Sequence, residues 1–201
     1  MALVKRLGHA GYAEVLALQE QLLAERIAEN LPDTVLLVEH DPVYTVGRRK
    51  DATANLLAVG DTPVIHVSRG GDVTWHGPGQ VVAYPIVRLR DQDLHAHLRR
   101  LEEVMIAVCA RFGLVATRDA RNTGAWVDGR KIGSVGVACR SWVTWHGLAL
   151  NVCPDMRYFA RINPCGFSSD IMTSVAQELG DDASVTLEPV MDATADVFTA
   201  W

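Results

Sequence analysis

The sequence predicts an α/β (α+β) domain, a mixed and mainly antiparallel sheet flanked by helices. Three observations point there. Short β-branched and apolar runs, bounded by Gly, Pro and Asp, are interspersed with helix-period patterns along the whole chain. One pair of runs is joined by Asp128-Gly129, a dipeptide that supports a tight type I′ hairpin turn. Neither G-x-G-x-x-G nor a P-loop string occurs, which argues against a doubly wound nucleotide fold.

In chain order, residues 12–30 place apolar side chains at 12, 15, 16, 22, 23 and 27 on one helical face, and Pro32 closes the helix. TVLLVEH (34–40) reads as a buried strand and PVYTVG (42–47) as a second. A polar stretch with NLL (55–57) precedes the strand PVIHV (63–67). After a glycine-rich loop, VVAYPIV (81–87) is again strand-like. Asp91 or Asp93 caps a helix to about Phe112, with Leu94, Leu98, Leu101, Val104, Met105 and Val108 on its inner stripe and Gly113 ending it. LVAT (114–117) is a short strand, residues 124–138 form the hairpin, and 141–152 make a long neighbouring strand. RYFA (157–160) is a helical turn, 168–180 a helix capped by Ser168 or Ser169, and 187–201 a closing helix.

The chain has 201 residues, 49% hydrophobic and 21% charged, which fits a single domain over 1–201 with a substantial core. Its formal net charge is −5 and its one basic run is the short GRRK (47–50), so non-specific nucleic-acid binding is not expected. No stretch reaches the roughly 18–20 apolar residues of a membrane span, and the first residues lack a signal-like apolar core. A soluble cytoplasmic protein is the expectation.

VTWHG occurs twice, at 73–77 and 143–147, with unrelated flanks, so duplication of a structural unit is not the reason. The first copy lies in RGGDVTWHGPGQ (69–80). Adjacent glycines there expose backbone N–H groups and admit close approach of a ligand, and extended geometry puts Thr74 and His76 on one side and Trp75 on the other. A glycine-rich connection is the plain alternative.

Four cysteines, at 109, 139, 153 and 165, show neither C-x-x-C nor zinc-type spacing, and no metal is expected. Cys109 sits on the helix at a core position, and Cys139 and Cys153 in strand-like runs; all three read as structural. Cys165 lies between Pro164 and Gly166, in a turn before the expected helix start, where the helix dipole favours a thiolate. A turn cysteine that merely fits is the alternative. Lysine is scarce, and Lys131 stands just past the hairpin turn among small and apolar neighbours. An ordinary hairpin lysine faces solvent; one turned into a pocket would lower the pKa of a neighbouring thiol.

RGGDVTWHGPGQ, GRKIGSVG, WHGLALNV and INPCG together resemble the lipoyl(octanoyl) transferases, the octanoyl-[acyl-carrier-protein]:protein N-octanoyltransferases of lipoate biosynthesis. YTVGRRKDATANLL and RNTGAWV add to the resemblance, which spans residues 34–175 in the family's order. It implies a fold similar to the catalytic domains of biotin protein ligase and lipoate ligase. It also implies ATP-independent transfer of an octanoyl (or lipoyl) group from acyl carrier protein to a lysine of lipoyl domains, those of 2-oxoacid dehydrogenase complexes and the glycine-cleavage H protein. The family's nucleophile matches Cys165, which would carry an acyl thioester, and its lysine matches Lys131, which lowers the thiol pKa and assists proton transfer. Its acyl contacts match Arg69, Gly70, Gly71, Asp72, Val73, Thr74, Trp75 and His76, then Ser134, Val135 and Gly136, then Gly147, Leu148 and Ala149. No cofactor is implied, since the phosphopantetheine belongs to the carrier protein.

On this resemblance each VTWHG borders one acyl groove, its glycine admitting the chain and its tryptophan walling it. His76 is then a candidate for orienting the thioester or moving a proton. His146 is a candidate for the same, or a histidine bonded inside the sheet. Oxyanion donors are expected from the loop at 69–71 or from residues 134–136. Arg48, Arg49, Lys50 or Arg99 and Arg100 are candidate contacts for an acidic carrier. An ATP-dependent ligase and a non-catalytic carrier-binding module are the competing readings.

Overall fold

In the computed structural model, residues 2–180 and 185–201 are described, Cys165 and Ser169 by their backbone alone. A six-stranded sheet has the order β1-β2-β6-β9-β8-β7, and a three-stranded sheet the order β4-β3-β5. The strands are β1 (Leu3–Ala10), β2 (Thr34–His40), β3 (Val43–Val46), β4 (Val64–His66), β5 (Val73–His76), β6 (Gln80–Ile86), β7 (Gly124–Val127), β8 (Arg130–Arg140) and β9 (Val143–Asn151). Only β1–β2 and β3–β4 pair in parallel; the other pairings are antiparallel, as the hairpin signals predict. The helices are α1 (Tyr12–Ile27), α2 (Leu94–Arg111), α3 (Val175–Leu179) and α4 (Leu187–Thr199).

The central strands β2 and β6 are buried on both faces, which is why each reads as a nearly continuous apolar run. Alternate residues divide between two cores. Val35, Leu37, Val81, Ala83 and Leu150 meet Leu101, Met105 and Val108 of α2 and Val190 and Phe198 of α4. Leu36, Val38, Val82, Tyr84 and Ala149 face the other way, toward Tyr12, Val15, Leu22 and Leu23 of α1. A third cluster, with Trp75, Tyr44, Phe159 and Met172, lies under the small sheet.

Asp93 caps α2, accepting from Ala96 N–H at 2.9 Å. The hairpin turn has Asp128 at φ 46° and Gly129 at φ 76°, both left-handed as a type I′ turn requires. Among the described residues, no helix is long and apolar enough to cross a membrane.

Two expectations change, and one strand is additional. The additional strand is β1, an edge strand whose LVKRLGHA carries little apolar periodicity and exposes charged side chains. RYFA is a helical turn as expected, within the 3-10 segment Met156–Arg161, whereas LVAT contributes only a single bridge, Thr117 to Trp126. The helix expected over 168–180 is only α3, capped by Ser174 accepting from Gln177 N–H at 3.2 Å. Its earlier residues are tied to β8 instead: Met172 bridges Lys131, and Thr173 N–H donates to Lys131 C=O at 3.0 Å. The segment thereby loses the helical hydrogen bonds a start at Ser168 or Ser169 needs.

His97, on the inner face of α2, is 2% exposed, and neither ring nitrogen finds a hydrogen-bond partner among the described residues. Burial, helped by Arg100, holds it down to about 4. A neutral buried imidazole stabilises the fold fully above its unfolded value near 6.5, and that stability is lost as pH falls through the folded value. Urea unfolding of His97→Leu should therefore give a midpoint that falls less steeply than the wild type's between pH 7 and pH 4. Parallel pH profiles would show that this histidine is not a source of the acid sensitivity.

Candidate active site

A cavity of about 290 Å³ lies between the small sheet and the β9-β8 part of the large one. Residues 69–74 and His76 line it from the loop and β5, residues 134–136 from β8, and residues 147–149 from β9. Every sequence-predicted acyl contact is thus in the lining except Trp75. Period-two alternation sends Thr74 and His76 into the cavity and Trp75 away from it, into the third cluster against Tyr158 at a ring distance of 4.8 Å.

The repeated pentapeptide is now accounted for. Both histidines and Gly147 line the same cavity, one copy in β5 and one in β9. The glycines serve packing instead of admitting a ligand. A Cβ on Gly77 would stand 2.1 Å from the Trp75 ring, and one on Gly147 2.1 Å from Ala83 C=O. The tryptophans do not wall the groove.

Arg69 is buried and fixed, its guanidinium donating to Thr45 C=O and Thr45 Oγ1, both at 2.9 Å, and to Gly70 C=O at 3.1 Å. Around it the aromatic and imidazole side chains stay neutral. Burial lowers His76 well below its ordinary value, with His40 and Arg69 adding repulsion. Burial and Arg69 bring His146 to about 3, burial takes His40 to about 4, and burial pushes Tyr12 up to about 12. Gln80 donates through Nε2 to Asn151 Oδ1 at 2.8 Å and Trp75 C=O at 3.3 Å, so its Oε1 accepts from His76 Nδ1–H at 3.2 Å. That sets the tautomer and leaves a lone pair on His76 Nε2.

His146 has φ 58°, a left-handed conformation inside a strand, and its N–H leaves the ladder to reach Gln19 Oε1 at 2.9 Å. Its Nε2 shares a hydrogen bond with Ser68 Oγ at 3.1 Å, while Nδ1 has no partner among the described residues. Of the expected oxyanion donors, Gly70 N–H is spent on Val137 C=O at 2.8 Å.

Lys131 is not a solvent-facing hairpin lysine. It is 3% exposed, lines the cavity, donates from Nζ to Asn122 Oδ1, and lies 5.7 Å from the centre of the Trp126 ring. Cys165 sits on a 3-10 turn, Pro164–Gly166, and Pro164 lines the cavity, so the turn brings the Cys165 backbone to its edge. Its side chain lies outside the described residues. The expected α-helical dipole behind it is absent: the next element is another 3-10 turn, Ser169–Ile171. Of the other cysteines, Cys109 is buried and pushed up to about 12 by burial, Cys139 is half-buried in β8, and Cys153, exposed, lies just past β9.

Sequence reasoning did not single out Tyr12, Tyr84, Leu94, Leu98, Asn122, Thr123, Val137 or Pro164, which complete the lining. Asn122 lies in RNTGAWV, one of the segments carrying the resemblance, and that was the available signal.

Fold and cavity together define a mixed-sheet protein with a partly apolar cavity between its two sheets. The three-dimensional match is to lipoylation and biotinylation enzymes. A bi-partite lipoate protein ligase from Thermoplasma acidophilum, studied with its E2 lipoyl domain, superposes with a TM-score of 0.74 at 15% identity, over 99% of this chain and 82% of that one. The apo biotin protein ligase of Aquifex aeolicus superposes at 0.53 and 10% identity, over 100% and 68%. In sequence, residues 11–199 match the lipoyl protein ligase A/B catalytic domain. The octanoyltransferase of Geobacter sulfurreducens is 46% identical over 189 residues, 93% of this chain and 79% of the relative. The chain belongs to the lipoyl protein ligase A/B catalytic-domain family, among its octanoyltransferases.

Gly147→Ala should lower stability by about 1–3 kcal/mol, because its Cβ meets backbone that cannot rotate away. Denaturant unfolding measures this, and an unchanged midpoint would show that β6 and β9 separate more easily than their packing implies.

Proposed function

We propose that this protein moves an octanoyl group from a carrier-protein thioester to a lysine of a lipoyl domain through an acyl-Cys165 intermediate. The observation that carries the reading is the juxtaposition at one cavity of the buried Lys131 ammonium, an apolar wall from Leu94, Leu98, Val135, Leu148 and Ala149, and the turn bearing Cys165. The family assignment supports the same reaction.

The thiolate of Cys165, stabilised by the neighbouring ammonium, attacks the donor thioester carbonyl. The C–S bond to the phosphopantetheine arm breaks, and that sulfur leaves as a thiol with a proton from the Lys131 ammonium, which becomes a neutral amine. The deprotonated acceptor lysine then attacks the acyl-enzyme; the new C–N bond forms as the bond to Cys165 breaks, and the amine's proton passes to Lys131 or the departing thiolate. The donor is already activated, so neither ATP nor a metal enters these steps. His76 and His146, held neutral by burial, orient the acyl chain as polar wall; their depressed basicity suits neither for acid–base work near neutrality. At roughly 0.8 kcal/mol per buried methylene, an eight-carbon chain contributes several kcal/mol of binding in such a groove. Acceptors of this chemistry are the lipoyl domains of 2-oxoacid dehydrogenase complexes and the glycine-cleavage H protein.

Incubation with octanoyl-acyl carrier protein, without ATP, should add one octanoyl mass to the wild-type protein and none to Cys165→Ala. An adduct surviving in the variant would remove Cys165 as nucleophile. Product forming only from free octanoate and ATP would assign a ligase.

A further inference from the structure

We propose that Asn122 is the positioning residue of the active-site lysine, aiming the Lys131 ammonium at the cavity while leaving its charge intact. The inference rests on the proposed function in one respect, that Lys131 acts on the Cys165 thiol. An ammonium has three donors and no acceptor, and on a four-carbon stem it is directed by whatever accepts from it. In this site Lys131 Nζ donates to Asn122 Oδ1, and both residues line the cavity.

Asn122 is itself held from several sides. Trp126 Nε1–H donates to its carbonyl at 3.0 Å. On its N-terminal side Arg121 forks onto Asp119 at 2.9 and 2.6 Å, donates to Gly129 C=O at 3.0 Å, and stacks 4.6 Å over the Trp126 ring. On its C-terminal side Gly124 N–H donates at 3.0 Å to Oε1 of Glu102, a carboxylate buried on α2. Gly124 also leaves the lysine its path, since a Cβ there would stand 2.8 Å from Lys131 Cε. A surface loop does not need this much anchoring; a loop that fixes one amide oxygen does.

The choice of a neutral acceptor has a consequence. Three carboxylates on elements packed around the cavity are held by other partners. Glu102 of α2 takes Arg99 and Arg118, Glu178 of α3 takes Arg130 and Thr173, and Asp72 before β5 takes Arg49 and Asn55. An amide carbonyl fixes the lysine's torsions without competing for its charge, whereas a carboxylate at 122 would claim it.

The test is the pH profile of iodoacetamide alkylation at Cys165, read by peptide mass spectrometry, with kcat and KM for the octanoyl donor. Asn122→Ala should alkylate about tenfold more slowly at pH 7, its profile displaced about one unit upward. Its kcat should fall with KM little changed. Asn122→Asp, which keeps the shape and the acceptor, should move the profile in the same direction. A merely structural asparagine would tolerate that isostere and leave the thiol profile in place. Profiles of both variants superimposable on the wild type's would overturn the inference. Lys131→Met separates the levels: it should shift the profile at least as far as Asn122→Ala. If it shifts while neither Asn122 variant does, the positioning role alone fails. If it does not shift, the Lys131–Cys165 reading fails, and the inference with it.

Discussion

The site depends on how closely the small sheet is allowed to approach the large one. The contact is made by main chain: Gly70 N–H donates to Val137 C=O at 2.8 Å, in the middle of β8. Just before it on the same strand, a Cβ at Gly136 would stand 2.9 Å from Arg69 Cδ, so only glycine lets the Arg69 stem lie across the strand. Arg69 then reaches Thr45 of β3 and closes the seam with two 2.9 Å hydrogen bonds. The cavity is the space this seam props open along β8 and β9. Arg69 is therefore a structural cation first, and its field on His76 and His146 follows from that position.

Two cations in one cavity require different handling. Arg69 donates through both terminal guanidinium nitrogens to carbonyl and hydroxyl oxygens, and burial holds the imidazoles near it below their ordinary pKa. Lys131 lines the same cavity, with its ammonium donating to an amide oxygen and the Trp126 ring beside it. The arrangement matches the demands of thiol acyl transfer. A charge is needed where sulfur changes between thiolate and thioester, and a neutral wall is needed where an apolar chain lies.

Much of this was legible in the sequence, and the reasons differ by element. The buried strands 34–40 and 81–87, the Asp128-Gly129 hairpin and the Asp93 cap follow from local chemistry that tertiary structure did not override. β1 did not, because an edge strand needs no apolar face of its own. The helix at 168–180 misled because Met172 and Thr173 spend their backbone on Lys131, a partner about forty residues away that no local pattern reveals. Motifs pointed to residues that line the cavity, yet gave the wrong reason for the glycines and tryptophans of VTWHG. Composition marks those residues as special, and only packing shows that they serve the scaffold.

The same comparison explains how one fold serves different chemistries. At 15% identity the lipoate ligase match shares the fold, while the octanoyltransferase relatives share nearly half of their aligned residues with this chain. The groove in this chain is a property of the two-sheet seam. On the proposed function, the chemistry falls to its rim, to the loop bearing Asn122, the hairpin bearing Lys131 and the 3-10 turn bearing Cys165. Those three segments are joined by a few specific contacts: Lys131 to Asn122, and the Lys131 backbone to Met172 and Thr173 after the turn. Such a rim can change its reaction without disturbing the two cores behind the groove. On the proposed function, transfer from a thioester draws on residues of this edge, and the cores behind it serve the fold.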